Sequence, residues 1–297
     1  MNIRSFKDKS SSLLMLSLTL LAAVLILVLG AALVEHSLPL LHQSSLHDLL
    51  TQSVWKPLKG IFGFFPFIMG TLWVTFVAVI IAFPLCLLSS IYLSEYASPT
   101  VKKLLVPFIN LLSGIPPVIF GVWGVLFIVP FIQSSIAPRF VDFSTGYSVL
   151  AGGLVLAVMI FPLMTGILNQ VFTTIPQELK DASAALGPTR WETIKKVILR
   201  KTSTGIIAAV ALSVSRALGE TIAVLMVCGN SPTVPHSLFD PGYPLPALIA
   251  NNYGEMMSIP LYDSALMFAA LLLFIIILLF NITSHIILSR LERKLAA

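Results

Sequence analysis

Six stretches of this chain, 13–34, 68–93, 104–132, 147–171, 205–229 and 261–288, are almost entirely apolar. Each is longer than the about 20 residues that a helix needs to cross the hydrocarbon of a bilayer. A backbone inside lipid must satisfy every N–H and C=O from within the protein, which leaves helices or a closed barrel. Apolar runs of this length, without alternation, predict an all-α membrane protein with six transmembrane helices. Composition excludes the soluble alternative: 57% of residues are apolar, 10% are charged and the mean hydropathy is +0.96, whereas soluble domains carry about 25% charged residues.

The first run follows Arg4, Lys7 and Lys9, the charge order of a signal peptide, and Gly30-Ala31-Ala32 has the small residues of a cleavage site. The run outlasts a signal core of about 7–15 residues, so a retained span is expected. The segment 35–66 reads as a polar-to-mixed loop. Its His36, His42 and His47 lack the carboxylates or cysteines that would complete a metal site, so they read as solvated histidines and no cofactor is expected. Its end carries Phe62, Phe64, Phe65 and Phe67 among glycines and Pro66, the composition of an aromatic belt with a short helix lying on the membrane. Cys86 and Cys228 lie in separate runs and read as small buried apolar residues.

The run 104–132 holds Pro107, Gly114, Pro116, Pro117, Gly121, Gly124 and Pro130, and 147–171 holds Pro162. Proline frees a carbonyl that lipid cannot satisfy. These helices therefore pack among neighbours or line a wet cavity around the fifth run. The 230–260 segment reads as a long loop with six prolines and no Lys or Arg.

Charge placement orients the chain. Of the 18 Lys and Arg, only Lys56, Lys59 and Arg139 fall on one side and Arg216 inside a span. All the others fall on the opposite side, which the positive-inside rule makes cytoplasmic, with both termini. The cytoplasmic segment 173–204 reads as two short helices broken at Gly187-Pro188. Its small Ala/Ser face suits docking into a groove of another protein. No G-x-x-x-x-G-K-[ST] loop occurs anywhere, so ATP hydrolysis is assigned to a separate subunit.

Two charges interrupt the fifth run. Arg216 lies about 17 Å along it at 1.5 Å per residue, near mid-membrane, and Glu220 follows at i+4 on the same helical face. One reading is an ion pair that only fixes packing. Arg before Glu is the poorer order for such a pair. The other reading is that the planar guanidinium offers a transient site for an oxyanion and exchanges between Glu220 and that anion. Ionised Glu220 only accepts hydrogen bonds, so it would favour an anion that still carries a proton, hydrogen phosphate over sulfate. Thr221, Asn230 and Gly219 are near enough to line the same route, or to serve packing.

Asp181-Ala182-Ser183, Gly187 and Val197-Ile198-Leu199 resemble the coupling loop of permease subunits in binding-protein-dependent ABC importers, with Asp181 for Glu, Ser183 for Ala and Arg200 for a closing Pro. The stretches Gly70-Thr71-Leu72, Ile91 to Tyr96, Ile115 to Gly124 and Ser215 to Thr221 are similar to the phosphate importer permeases of the CysTW/binding-protein-dependent transport permease family. The run Gly-Glu-Thr-x-Ala-Val resembles the PstC type more than its PstA sister. The resemblance implies a type I ABC importer (MetI-like) permease fold, with an N-terminal span and periplasmic loop over 1–66 and the permease core over 67–292. It implies passage of inorganic phosphate across the cytoplasmic (inner) membrane, with Arg216, Glu220, Thr221 and Asn230 along the path. It assigns Asp181, Ala182, Ser183, Gly187 and Leu199 to coupling with the ATPase. The implied partners are a second related permease subunit, two ATPase subunits and a periplasmic phosphate-binding protein. Other readings are a same-fold permease for molybdate or sulfate, or a channel or secondary transporter.

Overall fold

A computed structural model describes residues 3–255 and 259–296. The described chain is mostly helical, with one hairpin of two two-residue strands and irregular connections between the helices. The helices are α1 (Ile3–Gln43), α2 (Leu46–Thr51), α3 (Phe65–Ile91), α4 (Pro99–Ser113), α5 (Pro117–Arg139), α6 (Val149–Thr173), α7 (Gln177–Ala185), α8 (Arg190–Lys201), α9 (Ser203–Leu218), α10 (Ile222–Val227), α11 (Leu245–Asn252) and α12 (Tyr262–Ala296). Among the described residues, five helices are long and apolar enough to cross a membrane, and six if α8 and α9, bent by 69° at Thr202, count as one broken span.

Around α6 lies the main core. Three glycines make close approach possible: an ideal Cβ on Gly153 would lie 2.4 Å from Val77 Cγ1 of α3, one on Gly152 2.2 Å from Cys228 Sγ, and one on Gly124 2.6 Å from Val155 Cγ2. Small residues are how membrane helices replace the hydrophobic drive that lipid removes. Ile160, Met164 and Leu168 of α6 are fully buried, together with Ala78 and Cys86 of α3, Ala209 of α9 and Ala223 of α10.

A second core joins the two ends of the chain. Leu40, Leu49 and Phe64 pack against Leu245, Ala265 and Ala269. The apolar part of α1, by contrast, is largely exposed and packs along α12, where Gly30 meets Phe274. In lipid that exposure costs little, because acyl chains are as apolar as leucine.

Four sequence expectations change. The first span does not end at Val34: α1 runs on through Pro39 to Gln43, and α2 follows almost at once. The aromatic stretch is not a helix on the membrane surface. It is a hairpin, β1 (Trp55–Lys56) antiparallel to β2 (Ile61–Phe62), turned at Gly60 with φ +69°. Trp55 stands edge-on to Phe62, Phe64 and Phe67 at 4.9–5.4 Å, so these rings form a buried cluster in place of a belt. The third span begins at Pro117, not Leu104. Gly114-Ile115-Pro116 breaks the chain, and the preceding α4 is a separate helix with no buried residue. The 230–260 segment is not all loop, because α11 folds back into it, and the Leu245 N–H reaches Thr71 Oγ1 at 2.9 Å.

Candidate functional site

The fifth span is broken where its charges lie. α9 ends at Leu218 and α10 begins at Ile222. Between them the Gly219 N–H donates to the Arg216 carbonyl and the Glu220 N–H to the Ala217 carbonyl, both at 3.2 Å. These are i→i+3 bonds that tighten and end a helix. Gly219 supplies a residue with no side chain at the stop, and the Glu220 carboxylate restarts the helix by accepting the Ala223 N–H at 3.3 Å. Negative charge at the first turn of a helix is favoured by the unpaired amide groups there. Thr221 closes the break with its hydroxyl on the Gly219 carbonyl at 3.3 Å.

This break decides the Arg216–Glu220 question. Among the described residues the ion pairs are His47–Asp48, Glu95–Lys180 and Glu192–Lys196, and none joins Arg216 to Glu220. An i,i+4 pair needs an unbroken helix to hold both side chains on one face; the chain leaves helical geometry between them, and Glu220 is engaged by α10. Arg216 is exposed in the last turn of α9 while Ala217 and Leu218 beside it are buried. A guanidinium at this depth must face water, a partner or an ion. One residue before it, Ser215 Oγ donates to Asn281 Oδ1 of α12 at 2.9 Å and ties α9 to α12. Asn281 was missed in the sequence, although an amide inside the apolar run 261–288 was the signal that could have revealed it.

Arg216, Glu220 and Thr221 are thus brought together at one break. Asn230 is not with them, since it lies past the far end of α10, about 9 Å of helix from Thr221. There it takes φ +52° after Gly229 at φ +88°. Its N–H donates to the Gly242 carbonyl at 3.1 Å and its Nδ2 to the Leu225 carbonyl at 2.8 Å. Gly242 in turn donates to Cys228 at 2.8 Å, so this residue pins the returning loop to the end of α10.

The second cluster is the hairpin of α7 and the start of α8. Gly187 turns it at φ +82°, a conformation that costs an L-residue about 1–2 kcal/mol. Thr189 then opens α8 with a reciprocal cap: its hydroxyl accepts the Glu192 N–H at 3.3 Å, and Glu192 Oε2 accepts the Thr189 N–H at 2.9 Å. Those Thr189 donors, the backbone N–H first, hold the Glu192 carboxyl below its usual range. Ser183 Oγ and Thr193 Oγ1, both buried, meet at 3.0 Å and close the two helices on each other. The outer surface is apolar at the tip, where Leu186 is 87% exposed and Trp191 49%. Asp181 and Ala182 are exposed on α7, with Asp181 accepting from Gln177 at 3.0 Å. Leu199 is not part of this face; it is half-buried in α8 and packs against the main core.

Residues 87–297 match the family described as binding-protein-dependent transport system inner membrane component. The phosphate transport system permease protein PstC of Pasteurella multocida is 35% identical over 254 residues, 81% of this chain and 79% of that protein. The protein of the same name from Haemophilus influenzae is 34% identical over 97% of this chain and 93% of its own length. The probable ABC transporter permease protein YqgH of Bacillus subtilis is 40% identical over 70% of this chain and 66% of its own. Among solved structures, a chain of the MetNI methionine ABC transporter in inward-facing conformations superposes with a TM-score of 0.56 at 20% identity, covering 77% of this chain and 94% of that one.

Proposed function

We infer the function from a premise that these matches establish: the chain belongs to the family of binding-protein-dependent transport system inner membrane components. On that premise it is the multi-span permease subunit of an ABC importer, and the solute it passes is inorganic phosphate, the ion named for the relatives that cover most of its length. The observation that carries the substrate class is the broken fifth span. It presents the exposed Arg216 guanidinium at a helix end, with no ion-pair partner among the described residues. A guanidinium offers phosphate oxygens a fork of donors and loses less hydration than an ammonium would.

In this reading Arg216 lends its charge to the passing anion, and Glu220 and Thr221 shape the break beside it. Glu220, engaged by the Ala223 amide, reaches the anion only by releasing that bond, and its acceptor-only carboxylate then favours hydrogen phosphate over sulfate. Asn230 holds the loop that bounds the path at the other end of α10. The hairpin of α7 and α8 is the coupling element. Its tip, Leu186, Gly187 and Trp191, with Asp181 and Ala182 alongside, seats in a groove of an ATPase subunit, and buried Ser183 keeps it rigid. Leu199 acts from behind by joining the hairpin to the core.

The working importer comprises this chain, a second related permease, two ATPase subunits and a periplasmic phosphate-binding protein. Both termini and the hairpin lie on the cytoplasmic side, where the positive charge is concentrated. The core over 67–292 carries the passage and the first 66 residues anchor it.

Reconstitution tests the function. Proteoliposomes carrying the four membrane components, with ATP on the ATPase side and phosphate-loaded binding protein on the other, are expected to accumulate labelled phosphate, and excess sulfate or molybdate leaves the rate unchanged. Uptake that persists without ATP, or that follows molybdate or sulfate, contradicts it.

A further inference from the structure

The cytoplasmic end of α3 leaves α-helical geometry in one π-turn, Tyr92–Tyr96. Such turns widen the helix by one residue and recur at functional positions. Three successive residues of this turn each meet a cation from a different helix. The Ser94 carbonyl accepts from Lys102 Nζ of α4 at 3.0 Å. Glu95 Oε1 lies 2.6 Å from Lys180 Nζ of α7. The Tyr96 ring lies under the Arg190 guanidinium of α8, 4.9 Å from its centroid.

The middle link differs from the surface ion pairs of this protein. The Glu95 side chain is 8% exposed and that of Lys180 19%, against 44% and 71% for Glu192 and Lys196. Partners 85 positions apart in sequence hold each other where water is largely excluded. Exposed pairs contribute little, whereas removing one member of a buried pair strands the other charge. The linking residues, with Asp181 and Thr193, line a half-open polar pocket of about 430 Å³. The hairpin is therefore not seated on α3 by apolar packing alone. Direct polar contacts to the π-turn hold it there as well.

We propose that Glu95 and Tyr96 are positioning residues for energy coupling: the π-turn at the end of α3, through Glu95–Lys180 and Tyr96–Arg190, fastens the coupling hairpin to α3, so that displacement of the hairpin by the ATPase moves α3 and the α6 packed against it. This rests on the reading of the hairpin as the coupling element. The polypeptide connections send that displacement into α9 through the bend at Thr202 and into α6 through residues 174–176. The attachment to the π-turn adds α3, which neither chain connection reaches directly, so α3 and α6 move together with the hairpin.

The test uses the complete importer in proteoliposomes, with uptake and ATP hydrolysis measured on the same preparation. Glu95→Gln and Lys180→Met are each expected to lower the number of phosphate ions moved per ATP by at least about tenfold, with the ATPase still copurifying. Because the two act through one contact, the double variant falls no further than either single, and Lys180→Arg, which keeps the charge, stays within about threefold of the parent. A purely structural role would lower uptake and hydrolysis in proportion and leave their ratio alone. An unchanged ratio in both single variants, or a double variant in which the losses multiply, overturns the proposal. Should Glu95→Gln fail to retain the ATPase, the same non-additivity is read from copurification, and additive losses there overturn it equally. A parent complex that moves no phosphate refutes the substrate reading instead, and the attachment is then read from binding-protein-stimulated ATP hydrolysis, where unchanged stimulation in the single variants overturns it.

Discussion

Glu192 shows how much one carboxylate settles locally. It accepts the Thr189 amide and hydroxyl at 2.9 and 3.0 Å, and these bonds lower its pKa in the folded chain. A group whose pKa is depressed on folding stabilises the fold fully above its unfolded value of about 4.3, and the contribution is lost as pH falls through the folded value. Amide hydrogen exchange at residues 190–193, corrected for intrinsic rates, is therefore expected to show less protection at pH 3 than at pH 7. Thr189→Ala should produce the same loss at pH 7, and protection that is flat across that range would contradict the cap. At the opposite extreme stands Arg216, whose side chain has no ion-pair partner among the described residues. The sequence singles it out as a charge inside an apolar run. It paired Arg216 with Glu220 because a continuous helix was assumed, and Gly219 stops that helix.

Whole elements were legible wherever apolarity ran unbroken, and least legible where it ran across a break. α6 matches its expected range closely because Ser148 caps it, its side chain accepting the Ala151 amide at 3.2 Å. The third span was placed too early because α4 continues the apolar composition of α5 across Gly114-Ile115-Pro116, and only geometry separates a surface helix from a crossing one. The hairpin at Trp55 was invisible because its two-residue strands are too short for alternation to register. The glycines gave no hint of what they face. Gly152 sits where a Cβ would meet Cys228 Sγ at 2.2 Å, so α6 and the end of α10 approach only because that position is bare. Gly152→Ala should cost about 1–3 kcal/mol, as overpacking does. It should be visible as a lower melting temperature of the purified complex, and adding Cys228→Ala, which removes the colliding sulfur, should recover most of the loss. Equal melting temperatures for parent and Gly152→Ala would refute this contact.

At the scale of the molecule, two cores organise the described residues. The main core around α6 carries the broken span at one side and, through the end of α3, the hairpin at the other. The second core ties residues 33–64 to α11 and α12 and leaves most of α1 exposed. Fold class, span number and the two charged regions could be read from composition and spacing. The Ser215–Asn281 bond and the Glu95–Lys180 contact could not, because each joins residues far apart in sequence. In the proposed function the guanidinium at the break, and not the protein scaffold as a whole, carries the anion. It is tested most directly by Arg216→Gln in the reconstituted importer. Loss of a charge-assisted contact of about 1.5–3 kcal/mol predicts phosphate uptake lowered by about ten- to 100-fold, while the complex still assembles and binding protein still stimulates ATP hydrolysis. Uptake at the parent rate in that variant would contradict the account.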